Sequence, residues 1–215
     1  MKLKILSVII LGSVLLSGCG FWGVRGNGNL RHESRDVSEF TKIDAAGAFS
    51  IKVKVGESTS LRIEAEENLL HLIETRVKGH TLVIDTRKSI SPRKGIKIYI
   101  TTPELESVEC SGANNIYAYN IESDDFYAEL SGAGSIDLEG NVDRLHADLS
   151  GAGSINAKRL RARRVSISVS GAASADVYAR EYLDASVSGV GSIDFYGNPD
   201  KTNTSVSGVG SITRK

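Results

Sequence analysis

SGANNI (111–116), SGAGSI (131–136 and 150–155), SGAASA (170–175) and SGVGSI (188–193 and 207–212) are six copies of one phrase, with starting serines 20, 19, 20, 18 and 19 residues apart. A period of this length marks a stacked array of supersecondary units and not a globular enzyme core. Just before each serine stand Cys110, Leu130, Leu149, Val169, Val187 and Val206. Two places before stand Glu109, Glu129, Asp148, Ser168, Ser186 and Ser205, and three places before stand Val108, Ala128, Ala147, Ile167, Ala185 and Thr204. Apolar, polar, apolar is the period of a β-strand with one buried face. The phrase closes on Ile, once Ala175, and continues polar then apolar through Asp137–Leu138, Asn156–Ala157, Asp176–Val177 and Asp194–Phe195. A second strand therefore follows each phrase. The glycine between the strands has no Cβ and can turn the corner at positive φ without strain.

Each coil of 18 to 20 residues is expected to hold two or three short strands, with like residues stacked over like and the apolar ones forming internal ladders. The fold class is all-β, a parallel β-helix. Strand spacing of about 4.8 Å makes six coils a rod of roughly 29 Å. Helices are excluded by the missing 3.6-residue period and the excess of Gly, Ser and Val. The sequence ends at Thr213, Arg214 and Lys215, directly after the sixth phrase. That predicts an open last coil, either guarded by Arg214 and Lys215 or packed on a partner, and weak homo-oligomerisation is expected.

The chain has 215 residues with 26 Lys and Arg against 26 Asp and Glu. A net charge of zero argues against a nucleic-acid partner, which needs phosphate neutralisation. The length suits one domain plus a tether. The first residues, MKLKILSVIILGSVLLSGCG, carry Lys2 and Lys4 ahead of an apolar run from Ile5 to Leu16. This is a secretory signal, too short for a stable span. Leu16-Ser17-Gly18-Cys19 resembles the bacterial lipobox, which implies removal of residues 1–18 and acylation of Cys19. Several acyl chains anchor a protein stably. Gly20 after the cysteine resembles the outer-membrane sorting rule. The expected localisation is the outer membrane, lipid-anchored, facing the periplasm or the cell surface. Residues 19–38 read as a flexible tether and 39–215 as the domain. Phe21 and Trp22 read either as interfacial rings or as an unstructured pair.

Ahead of the array, AGAFSI (46–51) is a degenerate copy of the phrase. Alternating patterns predict strands over 51–55, 61–65, 81–85 and 96–100, and Asn68–Val77 is expected as a strand or a short irregular segment. This half reads as a less regular opening of the same β architecture.

GAFSI, then KIYITTPELESVECSGANNI (97–116), then repeated SGAGSI phrases behind a lipobox resemble the head GIN domain family of autotransporter-type adhesins, found mainly as envelope lipoproteins of Bacteroidetes-like bacteria. The resemblance covers about residues 40–215. It implies a right-handed parallel β-helix and brings no functional residues with it.

The residues offer little catalytic chemistry. The serines belong to the repeat and lack a positioned base. His32, His71, His80 and His146 have no metal-ligand spacing, and no phosphate or dinucleotide fingerprint opens a helix. No catalytic, cofactor or metal site is expected. Cys110, in a ladder position, is expected as a buried free thiol. Asp137, Asp176 and Asp194 share one outward repeat position, and two neighbouring coils would bring carboxylates near the retaining-glycosidase separation. A solvated polar face is the preferred reading. Lys158, Arg159, Arg161, Arg163 and Arg164 form the one concentrated basic run. It reads as a site for anionic glycans or lipid head groups, or as charge compensation against Glu139, Asp143, Glu181 and Asp184 in adjacent coils. The expected function is a non-enzymatic, lipid-anchored envelope protein whose rigid surface binds or adheres to a glycan or an envelope protein. A polysaccharide lyase or hydrolase on the same fold, and a self-assembling structural component, are the alternatives.

Overall fold

The computed structural model describes residues 23–215, so the signal segment, Cys19, Phe21 and Trp22 lie outside the described residues. In chain order the elements are β1 (Val24–Arg25), β2 (Leu30–Arg35), β3 (Lys42–Gly47), β4 (Ser50–Val55), β5 (Ser60–Glu66), α1 (Glu67–Leu70), β6 (Ile73–Lys78), β7 (Thr81–Thr86), β8 (Ile90–Ser91), β9 (Lys97–Thr102) and β10 (Ser107–Gly112). Four long strands follow, β11 (Asn115–Gly132), β12 (Ser135–Gly151), β13 (Ser154–Gly171) and β14 (Ser174–Gly189), and then β15 (Ser192–Tyr196), β16 (Lys201–Gly208) and β17 (Ser211–Arg214).

Parallel pairing stacks the phrases residue on residue. Ala45, Cys110, Leu130, Leu149, Val169, Val187 and Val206 form one continuous ladder, as the period predicts. The solenoid has about five turns rather than six coils. Each of the four middle coils, β11 to β14, is one bent strand rather than two or three short ones. In β13 the buried positions run Ile155, Ala157, then Leu160, Ala162, then Val165, Ile167, Val169. Steps of two keep side chains on one side of the pleat. The two steps of three reverse it, and each reversal is a bulge where the strand turns while its ladder continues. The register of β13 on β14 slips at those two places, between Ala157 and Arg161 and between Ala162 and Arg164. With the glycine corner, the two bulges give the β13 coil three faces.

The corner glycines have φ of 90° at Gly112 and 153° at Gly132, the region L side chains avoid. A Cβ at Gly132 would also run into the backbone carbonyl of Gly112 beneath it. The first phrase departs from the others where it meets the irregular coil below. Asn114, fully buried, fills the place held by Gly134 in the next copy. Its amide donates to the carbonyls of Ala45 (2.9 Å) and Ser111 (2.7 Å) and accepts from the Phe49 N–H (2.9 Å). The side chain thus satisfies backbone groups that a glycine would leave open.

The N-terminal half joins the same stack out of order. β3 and β4 form a coil under β10 and the start of β11, with Ile51 beneath Ile116. The chain then leaves and returns on the other side, where β7 pairs β3 and β9 pairs β4 in parallel. Antiparallel β5 and β6 cover those strands, and β2 covers β5. The segment Asn68–Val77, expected as a strand or a short irregular segment, is the turn α1, which buries Leu69 and Leu70, followed by strand β6. The flexible tether over 19–38 is corrected where the structure describes it: β1 pairs β8, and Leu30 to Arg35 pair with Glu66 to Leu61. The free edge of β5 recruits this segment. Arg35 then fastens it, donating to the carbonyls of Ile73 (2.7 Å) and Leu70 (2.9 Å). β2 is mostly exposed, so no apolar alternation announces it in sequence.

One hydrophobic core runs from Phe40 to Phe195. Cys110 sits in it as a free thiol, and burial, then the nearby Asp44 charge, push its pKa up to about 12.

Candidate binding face

The strands that follow the phrase expose one continuous row. Alternation turns Ile51, Ile98, Ile116, Ile136 and Ile155 inward and leaves their successors outside. Across β5, β9, β4, β11, β12, β13, β14 and β15 the outward residues in register are Arg62, Tyr99, Lys52, Tyr117, Asp137, Asn156, Asp176 and Asp194. Successive members are about 4.8 Å apart by strand spacing.

The row divides into two halves. Nearer the N-terminal end it alternates cations and rings. The Arg62 guanidinium lies 4.8 Å from the Tyr99 ring centre, and Lys52 Nζ lies 5.9 Å and 5.3 Å from those of Tyr117 and Tyr119. Tyr117 and Tyr119 stack with centroids 5.3 Å apart, and Arg159 reaches 5.5 Å over Tyr117. Each such pair holds a half-buried ring beside a fixed charge. The Tyr117 hydroxyl donates to Glu139 (2.9 Å). That hydrogen bond, then burial and the Glu139 charge, raise the phenol's pKa against the pull of Arg159, so it stays a donor at neutral pH.

The other half is acidic. Asp137 accepts from the Asn156 amide (3.0 Å), Asp176 from the Tyr196 hydroxyl (3.3 Å), and Asp194 pairs with Lys215 (3.1 Å). Burial, followed by the charge and hydrogen bond of Asp176, raises the pKa of Tyr196. The register expected for the three aspartates is the one observed, and each is engaged by a neighbouring coil.

The basic run does not form a single patch. Arg159 pairs with Glu139 (3.3 Å), Arg163 bridges Asp143 (2.8 Å) and Glu181 (3.0 Å), and Arg161 lies over Tyr178 at 5.0 Å. Lys158 and Arg164 are exposed. Asp184 is bound instead by Asn203 (3.0 Å). The histidines are likewise separate: His146 stacks on Tyr127 at 4.9 Å, and His32 lies 3.7 Å from Glu64. Among the described residues no group of three or more His, Cys, Asp or Glu is placed to hold a metal. A groove of about 770 Å³ opens beside Val55, Pro103, Asn120 and Glu139, where the first coil departs before completing its third face.

Sequence reading missed the aromatic–cation half. Lys52, Tyr99 and Tyr117 are each readable as outward by alternation. Their adjacency depends on β4 and β9 meeting β11, a register that no repeat carries.

The model of the family described as "Putative auto-transporter adhesin, head GIN domain" matches residues 39–199. A crystal structure described as a "putative adhesin" from Bacteroides fragilis is 29% identical, with a TM-score of 0.77, covering 90% of this chain and 100% of that one. A "putative adhesin" from Parabacteroides merdae (18% identical, TM-score 0.60, 90% and 99% covered) and a "putative lipid binding protein" from Parabacteroides distasonis (23%, 0.56, 89% and 99%) share the fold. Among curated proteins none matches. With three quarters of its length matched, and the coils, corners and ladders expected of it in place, the chain belongs to the head GIN domain family.

Proposed function

We propose that the chain is a lipid-anchored adhesive protein of the bacterial outer membrane, acting by binding and not by catalysis, whose cation–aromatic row holds an acidic polysaccharide strand along the stack. The observation that carries this is the run Arg62, Tyr99, Lys52, Tyr117, with Tyr119 and Arg159 beside it. Rings stack on sugar faces while the interleaved cations meet carboxylates. Family membership supports an adhesin at the cell surface or envelope. The engagement of Asp137, Asp176 and Asp194 by their neighbours supports binding over acid–base work. In this reading Cys19 carries the acyl chains.

A panel of acidic and neutral polysaccharides tests the face. The double variant Tyr99→Ala, Tyr117→Ala is expected to weaken acidic-glycan binding about tenfold or more, near 1–2 kcal/mol for lost stacking and cation contacts. Unchanged binding, or cleavage of a glycan by the wild type, would remove this reading. The anchor is tested separately: Cys19→Ala should abolish labelling by radioactive palmitate and release the protein from the membrane fraction.

A further inference from the structure

At the capped end, β1 and β8 form a short two-stranded ribbon at which the described chain begins. The Val24 N–H donates to the Ser89 carbonyl (2.9 Å) and the Gly26 N–H to that of Ser91 (3.1 Å). Glu66, fully buried, ties the neighbouring loop to the same ribbon by accepting from the N–H groups of Gly28 (2.6 Å) and Arg93 (2.7 Å). Around this fixed point stand Arg25, Lys88, Arg93 and Lys94, all exposed. Among the described residues none of the four has a carboxylate within ion-pair distance, whereas Arg31, Arg35, Arg76 and Arg87 at the same end are paired. Two of the large exposed apolar side chains, Val24 (39%) and Leu30 (45%), lie in the same segment. Unpaired cations beside exposed aliphatic groups is the composition of a surface that meets lipid head groups.

We infer that this capped end docks on an anionic phospholipid surface, with Arg25, Lys88, Arg93 and Lys94 against the head groups and the solenoid rising from it. The inference rests on the lipid-anchor reading for its setting. Cys19 precedes Gly23 by four residues, a reach of at most about 14 Å, so an acylated Cys19 holds this end and not the other at the bilayer. The partner is fixed by charge complementarity: each Lys or Arg near an anionic leaflet is worth about fivefold in partition, and the effect fades within a Debye length of about 10 Å at 0.1 M salt. The opposite end, with Val206 and Val209 exposed, is left facing away from the membrane.

The test uses residues 23–215, which close one core and correspond in extent to the fully covered Bacteroides fragilis chain. Co-sedimentation with vesicles of phosphatidylglycerol and phosphatidylcholine in equal parts is compared with phosphatidylcholine alone. Binding is expected to the anionic vesicles only, to vanish at high salt, and to fall about tenfold or more in the variant Arg25→Gln, Lys88→Gln, Arg93→Gln, Lys94→Gln. The control Lys158→Gln, Arg164→Gln should bind as wild type, and circular dichroism should show both variants folded. No binding, equal binding to neutral vesicles, or an equal loss in the control would overturn the inference. Because this piece lacks Cys19, its failure is distinguishable from failure of the anchor reading, which palmitate labelling decides alone.

Discussion

At the N-terminal end of the solenoid, antiparallel β2, β5 and β6 and the turn α1 cover the outermost parallel strands. At the other end β16 has every residue exposed. Val187 and Val206 occupy consecutive rungs of one ladder, yet Val187 is 2% exposed and Val206 47%. The chemistry of the two rungs is the same; what differs is whether a neighbour covers both sides. In a stack, a coil owes its stability to its interfaces more than to its own sequence.

The sharpest way to probe that contrast is to truncate the same ladder at two heights. Leu149→Ala in the covered middle should lose about 2–5 kcal/mol of stability, the range for emptying a buried aliphatic site. Val206→Ala should lose less than about 1 kcal/mol, since little of its burial is at stake. Urea melts of both variants check this, and equal losses would break the comparison. A smaller effect is expected from the glycines. Gly132 and Gly79 both have positive φ, 153° and 59°, but only Gly132 sits against the backbone of the coil beneath. Gly132→Ala should cost about 2–3 kcal/mol through overpacking and strain, and Gly79→Ala, at a hairpin tip in open space, about 1 kcal/mol.

The smallest effect concerns the cap alone. Burial raises the Glu66 pKa, but the backbone N–H groups of Arg93, Gly28 and Lys94 and the Arg93 charge outweigh it, so the net shift is below the ordinary 4.5. A carboxyl lowered on folding stabilises the fold above its unfolded value, and that contribution is lost as pH falls through the folded one. Protection of the Gly28 and Arg93 amides, taken relative to their slower intrinsic exchange in acid, should therefore fall below about pH 4.5 while the middle coils keep theirs. Glu66→Gln should reproduce it at neutral pH, by about tenfold, the worth of one charge-assisted hydrogen bond. Uniform exchange along the rod would show that the cap does not open by itself.

Much of this was legible in the sequence because a repeat states its own register. Once Ser111 is placed over Ser131, the ladder through Cys110 and Leu130 and the row through Asp137, Asn156 and Asp176 follow without further information. AGAFSI also pointed to its true place, with Gly47 under Gly112. The cap was not legible. β2 carries no alternation, and β7 and β9 contain no copy of the phrase that would tell which side of β3 and β4 they occupy. The two bulges of β13 were hidden for a related reason: a step of three among apolar residues reads as noise until the pairing with the next coil shows it. The candidate face fell between these cases, its acidic half inside the repeat and its aromatic half across the unrepeated junction.

The out-of-order stacking has a consequence for how the chain assembles. β3 has β7 on one edge and β10 on the other, and β4 has β9 and β11. Both pairs of partners come later in the sequence. A chain made from its N-terminus therefore produces first the coil that ends up inside the stack, with two open edges. The stack extends outward in both directions from that coil. One direction is closed by the β6–β7 hairpin and by the longer-range antiparallel pairings of β5 with β9 and β2 with β5, while the other continues one coil of about nineteen residues at a time, each closing a loop of nearly the same entropy as the last.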